Sequence, residues 1–221
     1  MIAFFDLDRT LLPTNSGKVW LRREMELGHV SRWQVLRAAG WLLQYSLGVS
    51  SLEFAVGQAI ATLAGSHSKD LRARTLEFYE GHIRSRYRPG AHLALAEHRL
   101  AGHKCVLLTA SNGYISELVS KELGLDGALC NQLEVDEQGL HTGRTVGLVC
   151  FGAGKLWHAR SYAESLGVRL ADCAFYTDSY SDLPVMEAVG RAVAVNPDVR
   201  LRREAARRGW PVVDWGTPTL R

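Results

Sequence analysis

Two carboxylates spaced i, i+2 close the first apolar run of the chain, Ala3-Phe4-Phe5-Asp6-Leu7-Asp8-Arg9-Thr10. Acids so placed can act as nucleophile and general acid/base on one substrate, or hold a hard cation through oxygen ligands. Three other places offer matching chemistry. Thr109 ends the run Lys104-Cys105-Val106-Leu107-Leu108, and Lys155 follows Gly152-Ala153-Gly154. Asp178 and Asp182 follow Cys173-Ala174-Phe175-Tyr176-Thr177. Taken singly, an Asp-rich turn, a capping Thr, a surface Lys and a charged helix start are the ordinary explanations. Taken jointly, each at an element boundary, they share one task, phosphoryl transfer. A carboxylate approaches a phosphate dianion only if charge is neutralised. Mg²⁺ between Asp6, Asp178 and the phosphate can do that, and Lys155 can take charge from other phosphoryl oxygens. Thr109 and the amides after it can cradle those oxygens at a helix N-terminus. The Gly-Ala-Gly-Lys stretch is not a P-loop, since Leu156 stands where Ser or Thr is required and Val149 where the first Gly belongs.

The elements that position these residues follow from periodicity. Ile2–Phe5 reads as a buried strand, too short and too rich in large apolar side chains for a helix. On an extended strand the i, i+2 spacing puts Asp6 and Asp8 on one face at the carboxyl end, where open α/β sheets bind ligands. From Ser16 to about Tyr87 the pattern turns helical. Trp20, Leu21, Met25 and Leu27 precede a C-cap at Gly28. Ser31 caps a second helix through Val35, Leu36, Ala39, Leu42 and Leu43. Ser50 and Glu53 open a third, and residues 68–87 give a fourth with Leu71, Thr75, Phe78, Tyr79 and Ile83 inward. Four helices with no strand between them predict a small inserted bundle. Arg88-Pro89-Gly90 closes it, and a helix follows over 92–101. Strand and helix then alternate to the end, the pattern of a parallel sheet, interrupted by a hairpin of 128–135 against 140–145. The fold expected is α/β, a parallel-sheet core carrying an α-helical insertion.

At 221 residues with 47% hydrophobic and 22% charged content, the chain has the makeup of an ordinary globular protein. A formal charge of +3 argues for no nucleic-acid partner. Arg84-Ser85-Arg86-Tyr87-Arg88 and Arg200-Leu201-Arg202-Arg203 read as solvated faces. Cys105, Cys130, Cys150 and Cys173 lack the close spacing of a zinc or redox site, so buried free thiols in a reducing compartment are expected. No apolar run is long enough to span a bilayer and the first strand begins at once, so a cytoplasmic location is expected.

The order Asp-x-Asp-x-Thr, a strand ending in Thr, a Lys and an Asp-rich loop resembles the haloacid dehalogenase superfamily. The motifs are Asp6-Leu7-Asp8-Arg9-Thr10, Val106-Leu107-Leu108-Thr109, Lys155 and Tyr176-Thr177-Asp178-Ser179-Tyr180-Ser181-Asp182. The insertion after the first motif is similar to the cap of the phosphoserine phosphatase-like branch, as is the tail Ala194-Val195-Asn196-Pro197-Asp198 with Arg208-Gly209-Trp210-Pro211. The resemblance implies a Rossmann-like catalytic core of residues 1–15 and 88–221 and a helical cap of residues 16–87. It implies Asp6 as the nucleophile forming an aspartyl-phosphate. Asp8 would act as general acid and then base, and lend its backbone carbonyl to Mg²⁺. Thr109 and the Ala110 amide would hold the phosphoryl group, and Lys155 would bridge it to Asp6. Asp178 would ligate Mg²⁺, completing a metal set of Asp6, Asp8, Asp178 and, behind them, Asp182. The substrate implied is a small phosphate ester. Transport ATPases of the superfamily carry Thr at the Asp8 position, so the acid here favours hydrolysis of the phosphoenzyme.

Two departures bear on the substrate. Phosphoserine phosphatase has a Glu facing the substrate's amino group where this chain has Asn15, and the fourth motif has Ser181 where Asn is usual. A phosphoserine or histidinol-phosphate phosphatase is the narrower alternative. A non-catalytic binding module would show a lost nucleophile or Lys, and neither is lost.

Overall fold

Four apolar side chains in a row, all buried, make β1 (Ile2–Phe5) the middle of a sheet rather than its edge. The computed structural model describes residues 1–29, 33, 40 and 52–218. After β1 the chain forms α1 (Ser16–Glu26), α2 (Leu52–Ala61), α3 (Ser68–His82) and α4 (Pro89–Leu100). Next come β2 (Lys104–Asn112), α5 (Gly113–Leu123) and β3 (Gly127–Asn131), then the hairpin β4 (Leu133–Val135) and β5 (His141–Thr145). The remainder is α6 (Ala153–Ser165), β6 (Ala174–Thr177), α7 (Leu183–Ala188), β7 (Arg191–Val195), α8 (Val199–Arg208) and β8 (Val212–Val213).

Six strands pair in the order β3-β2-β1-β6-β7-β8, every ladder parallel. A parallel sheet is covered on both faces, which is why its strands read as unbroken apolar runs. Phe5, Leu107 and Tyr176 enter one core with Ala91 and Leu95 of α4 and Val119 of α5. Phe4, Val106 and Phe175 enter the other with Ala159 of α6, Val185 of α7 and Leu201 of α8. Truncating a fully buried ring such as Phe175 to Ala costs about 3–5 kcal/mol. The strand order reverses between β1 and β6, so the crevice at their carboxyl ends is the topological switch point.

Apolar packing and backbone hydrogen bonds tie the inserted helices to the core. Phe78, Tyr79 and Ile83 of the α3 end join the first core cluster. Gly65 N–H donates to the His141 carbonyl and Ser68 N–H to the Gly139 carbonyl, both at 2.9 Å, joining the segment before α3 to the hairpin. The Ser31 cap of the expected second helix, its Val35, Leu36, Ala39, Leu42 and Leu43, and Ser50 lie outside the described residues.

Four expectations need correction. Asp6 and Asp8 do not share an extended strand, because β1 stops at Phe5 and residues Leu7–Leu11 coil into a wide turn with Arg9 at φ 60°. Helix α4 starts at Pro89 rather than His92, since proline's fixed φ suits the first helical position. The stretch 128–135 is not one hairpin arm: Gly127–Asn131 joins the main sheet beside β2, and only Leu133–Val135 pairs with β5. Nor is the cluster at 84–88 all solvated. Arg88 is buried, its guanidinium donating to the Arg9 and Gly216 carbonyls.

Candidate active site

The carboxyl ends of β1 and β6 bring Asp6 and Asp178 together, and α6 delivers Lys155 against Asp6 and Asp182. Glycine makes that delivery possible. A Cβ on Gly154 would sit 1.9 Å from the Val149 carbonyl oxygen, so only glycine lets the first turn of α6 close on the preceding loop. Lys155 is then buried, donating to Asp6 Oδ1 at 2.7 Å and Asp182 Oδ2 at 2.9 Å. Asp182 Oδ2 also accepts from the Thr177 hydroxyl at 2.6 Å. The fourth-motif loop is braced by Asp198, whose Oδ2 accepts the Tyr180 amide at 2.9 Å.

The charges do not balance. Asp6, Asp178 and Asp182 are all buried around one ammonium. Burial raises the Asp6 carboxyl to about 7, with Lys155 opposing the rise and Asp182 adding to it. Burial, then repulsion from Asp6 and Asp182, raises Asp178 to about 8. Burial also raises Asp8, against the hydrogen bond from Ser16. Burial pulls the Lys155 ammonium down, but Asp182 and Asp6 together push it above its ordinary value, so it stays charged.

Among the described residues no three Asp, Glu, His or Cys side chains already form a metal cluster. The donor set nevertheless fits a hard divalent cation. Asp178 makes no ion pair among the described residues and is repelled by Asp6 and Asp182, and Asp182 Oδ1 is buried without a hydrogen-bond partner among the described residues. Backbone and substrate oxygens would have to complete the shell.

Each of the other expected residues is set by its local backbone. Asp8 is half-buried, its Oδ1 accepting the Ser16 amide at 2.7 Å, so the start of α1 fixes it. Thr109 is buried and its Oγ accepts the Ser111 amide at 3.2 Å, leaving the hydroxyl proton free to donate. Ala110 follows it, half-buried. Asn15 is the N-cap of α1, its Oδ1 accepting the Lys18 amide at 2.9 Å.

Three supporting residues were not foreseen. Thr10 accepts the Asp178 amide at 3.0 Å and faces Asp6 Oδ2 at 3.4 Å, linking the two acid-bearing turns. Its place in Asp-x-Asp-x-Thr was the available signal. Thr177, ending an apolar strand as Thr109 does, offered a similar one. Asn131 offered none, because its two partners lie 21 and 19 residues away in sequence.

Comparison with known proteins places this crevice in context. The sequence matches the family of haloacid dehalogenase-like hydrolases over residues 3–187. It is 35% identical over 220 residues to phosphoserine phosphatase SerB1 of Mycobacterium tuberculosis, covering 96% of this chain and 70% of that one. It is 28% identical to a histidinol-phosphatase of Neisseria meningitidis, covering 97% of this chain and 98% of that one. A protein of unknown function from Bordetella pertussis Tohama I superposes with a TM-score of 0.88 at 31% identity, covering 97% of this chain and 98% of that one.

Proposed function

The chain belongs to the haloacid dehalogenase-like hydrolases, and on that premise we propose that it is a Mg²⁺-dependent phosphomonoesterase working through an aspartyl-phosphate. One observation carries this reading: a buried ammonium, Lys155, bridges Asp6 and Asp182 at the switch point, with Asp178 making no ion pair among the described residues.

Asp6 attacks the phosphorus through Oδ2, the oxygen that Lys155 does not hold, the P–O bond to the alcohol breaks, and an acyl phosphate forms on Asp6. Asp8, whose carboxyl burial pushes upward, serves as the general acid that gives a proton to the departing alkoxide. The same carboxylate then takes a proton from the water that opens the acyl phosphate, restoring Asp6. Lys155 holds the Asp6 carboxylate in place and balances charge on the phosphoryl oxygens. The Thr109 hydroxyl and Ala110 amide donate to those oxygens. Asp6, Asp178 and the Asp8 carbonyl would hold Mg²⁺, with Asp182 behind them; the cation supplies charge neutralisation at the phosphoryl group. Residues 1–15 and 88–221 would form the catalytic core, and residues 16–87 a cap over the leaving group.

The substrate is a small phosphate ester. Relatives named for phosphoserine and histidinol phosphate make amino-alcohol phosphates the first to try. Asn15 argues against a strong grip on an ammonium, being neutral and with its oxygen already accepting the Lys18 amide. L-phosphoserine is therefore expected to be a poor substrate. Asp6→Asn, measured on p-nitrophenyl phosphate with Mg²⁺, should lose turnover by about 10³-fold or more with the fold intact. Near-wild-type turnover by that variant would overturn the reading. Asp8→Asn should accumulate phosphoenzyme.

A further inference from the structure

Between Leu108 and Asn112 the β2 strand advances four residues while its neighbour β3 advances two, from Leu129 to Asn131. Three intervening residues, Thr109 to Ser111, therefore face the single Cys130, leave the regular ladder and need other partners. One side chain supplies a partner at the middle of the bulge. Asn131 is buried at 2% exposure, and its Nδ2 donates to the Ala110 carbonyl at 2.6 Å. Its Oδ1 accepts the Cys150 amide at 2.8 Å. The two contacts reach the two arms of the proposed phosphoryl cradle. The Ala110 carbonyl belongs to the same peptide unit as the Ser111 N–H, which donates to Thr109 Oγ. Fixing that peptide plane fixes which lone pair of Thr109 is occupied, and so where its proton points. Cys150 opens the loop that closes through Val149 and Gly154 onto Lys155.

We propose that Asn131 is a positioning residue: its carboxamide holds the Thr109–Ser111 bulge and the loop leading to Lys155 in register, so that hydroxyl and ammonium converge on one phosphoryl group. The inference rests on the reading of this crevice as a phosphate site. It is specific to a carboxamide, since one end must donate and the other accept. Asp at this position would keep the contact to Cys150 and set an acceptor against the Ala110 carbonyl.

The test is a double-mutant cycle on phosphate binding. Inorganic phosphate would be titrated by calorimetry in the presence of Mg²⁺ into wild type, Asn131→Asp, Thr109→Ala and the double variant. If Asn131 acts through Thr109, each single variant weakens binding about tenfold and the double is also near tenfold, not hundredfold. KM and kcat on p-nitrophenyl phosphate, measured below the lowered Tm of the variant, should both worsen for Asn131→Asp. Asn131→Ser, which removes both contacts and adds no charge, runs through the same cycle should the Asp variant fold poorly. Its loss should exceed that of Thr109→Ala, because the Lys155 arm is freed as well. Additive effects, or wild-type phosphate affinity in both Asn131 variants, would overturn the inference while leaving a dead Asp6→Asn to support the phosphatase reading. A wild type that binds no phosphate would overturn both.

Discussion

Two clusters of buried charge sit at opposite ends of α1, and they are built on opposite rules. At the far end Glu24, 1% exposed, accepts from Arg74 at 2.5 Å and Arg23 at 3.2 Å, with His29 also 3.2 Å away. Arg23 turns its second nitrogen to Glu77 at 2.9 Å. Carboxylates and guanidiniums are matched there, and the cluster pins α1 to α3. At the near end Ser16 anchors Asp8 beside Asp6, Asp178 and Asp182, where one ammonium answers three buried acids. An ion cluster that serves only the fold is closed, because an unpaired buried charge is costly. The crevice is left open, with raised carboxyl pKa values and an orphaned oxygen. Such imbalance is tolerable only where something else is meant to bind.

The largest test of that contrast is to remove what the open cluster awaits. Chelation with EDTA should silence turnover of p-nitrophenyl phosphate and Mg²⁺ should restore it. Full activity in excess chelator would break the comparison. Asp178→Ala should raise the Mg²⁺ concentration for half-activity more than Lys155→Ala does, since only Asp178 is assigned to the metal.

The closed cluster should respond in stability instead. Glu24→Ala strands the half-buried Arg74 guanidinium and leaves Arg23 with Glu77 alone, and unfolding free energy should fall by about 2–3 kcal/mol. Below its lowered Tm, kcat should stay within about twofold of wild type. A variant with unchanged Tm and poor kcat would show that the two clusters have been assigned the wrong way round.

A smaller effect is the pH dependence of the metal-free protein. Asp6 and Asp178 hold their protons more tightly folded than unfolded, with carboxyls raised to about 7 and about 8. Their contribution to stability is complete below the unfolded value near 4 and is lost as pH rises through 7 to 8. In EDTA, Asp178→Asn should therefore gain on wild type in Tm as pH increases across that window, and Mg²⁺ should erase the gain. A difference that shrinks with pH would contradict the assignment.

The smallest effect concerns Asn15, the N-cap at the near end of α1. Asn15→Asp keeps an N-cap acceptor for the Lys18 amide and adds a charge. Relative kcat/KM for L-phosphoserine against p-nitrophenyl phosphate should improve by about three- to tenfold. A wild type that already prefers phosphoserine would mean a neutral Asn15 suffices.

Much of the crevice was legible in sequence because its chemistry is written at element boundaries. Asp6 ends β1, Thr109 falls where β2 leaves its ladder, Lys155 sits in the first turn of α6, and Asp178 follows β6. Strands buried on both faces announce themselves as apolar runs, and glycine, proline and Asn caps mark where helices stop and start. The misreadings came where two patterns overlap locally. Residues 128–135 alternate well enough for a hairpin arm, yet the buried half pairs with β2 and the remainder with β5. On α1, periodicity drew attention to Met25 and Leu27, which are exposed, and passed over Glu24, which is buried. A carboxylate can be interior only if cations from other elements meet it, and Arg74 lies 50 residues on.

The sequence by itself determined the α/β alternation, the helical insertion and the acids, hydroxyl and ammonium that end the core elements. These depend on local periodicity and residue type, which are properties of short windows. Only the tertiary structure decided that Lys155 bridges Asp6 and Asp182 across 149 and 27 residues, and that Asn131 joins the bulge of β2 to the loop before α6. Such contacts are set by strand order and by close backbone approach, such as Gly154 against Val149. They are properties of the packed sheet, and no window along the chain contains them.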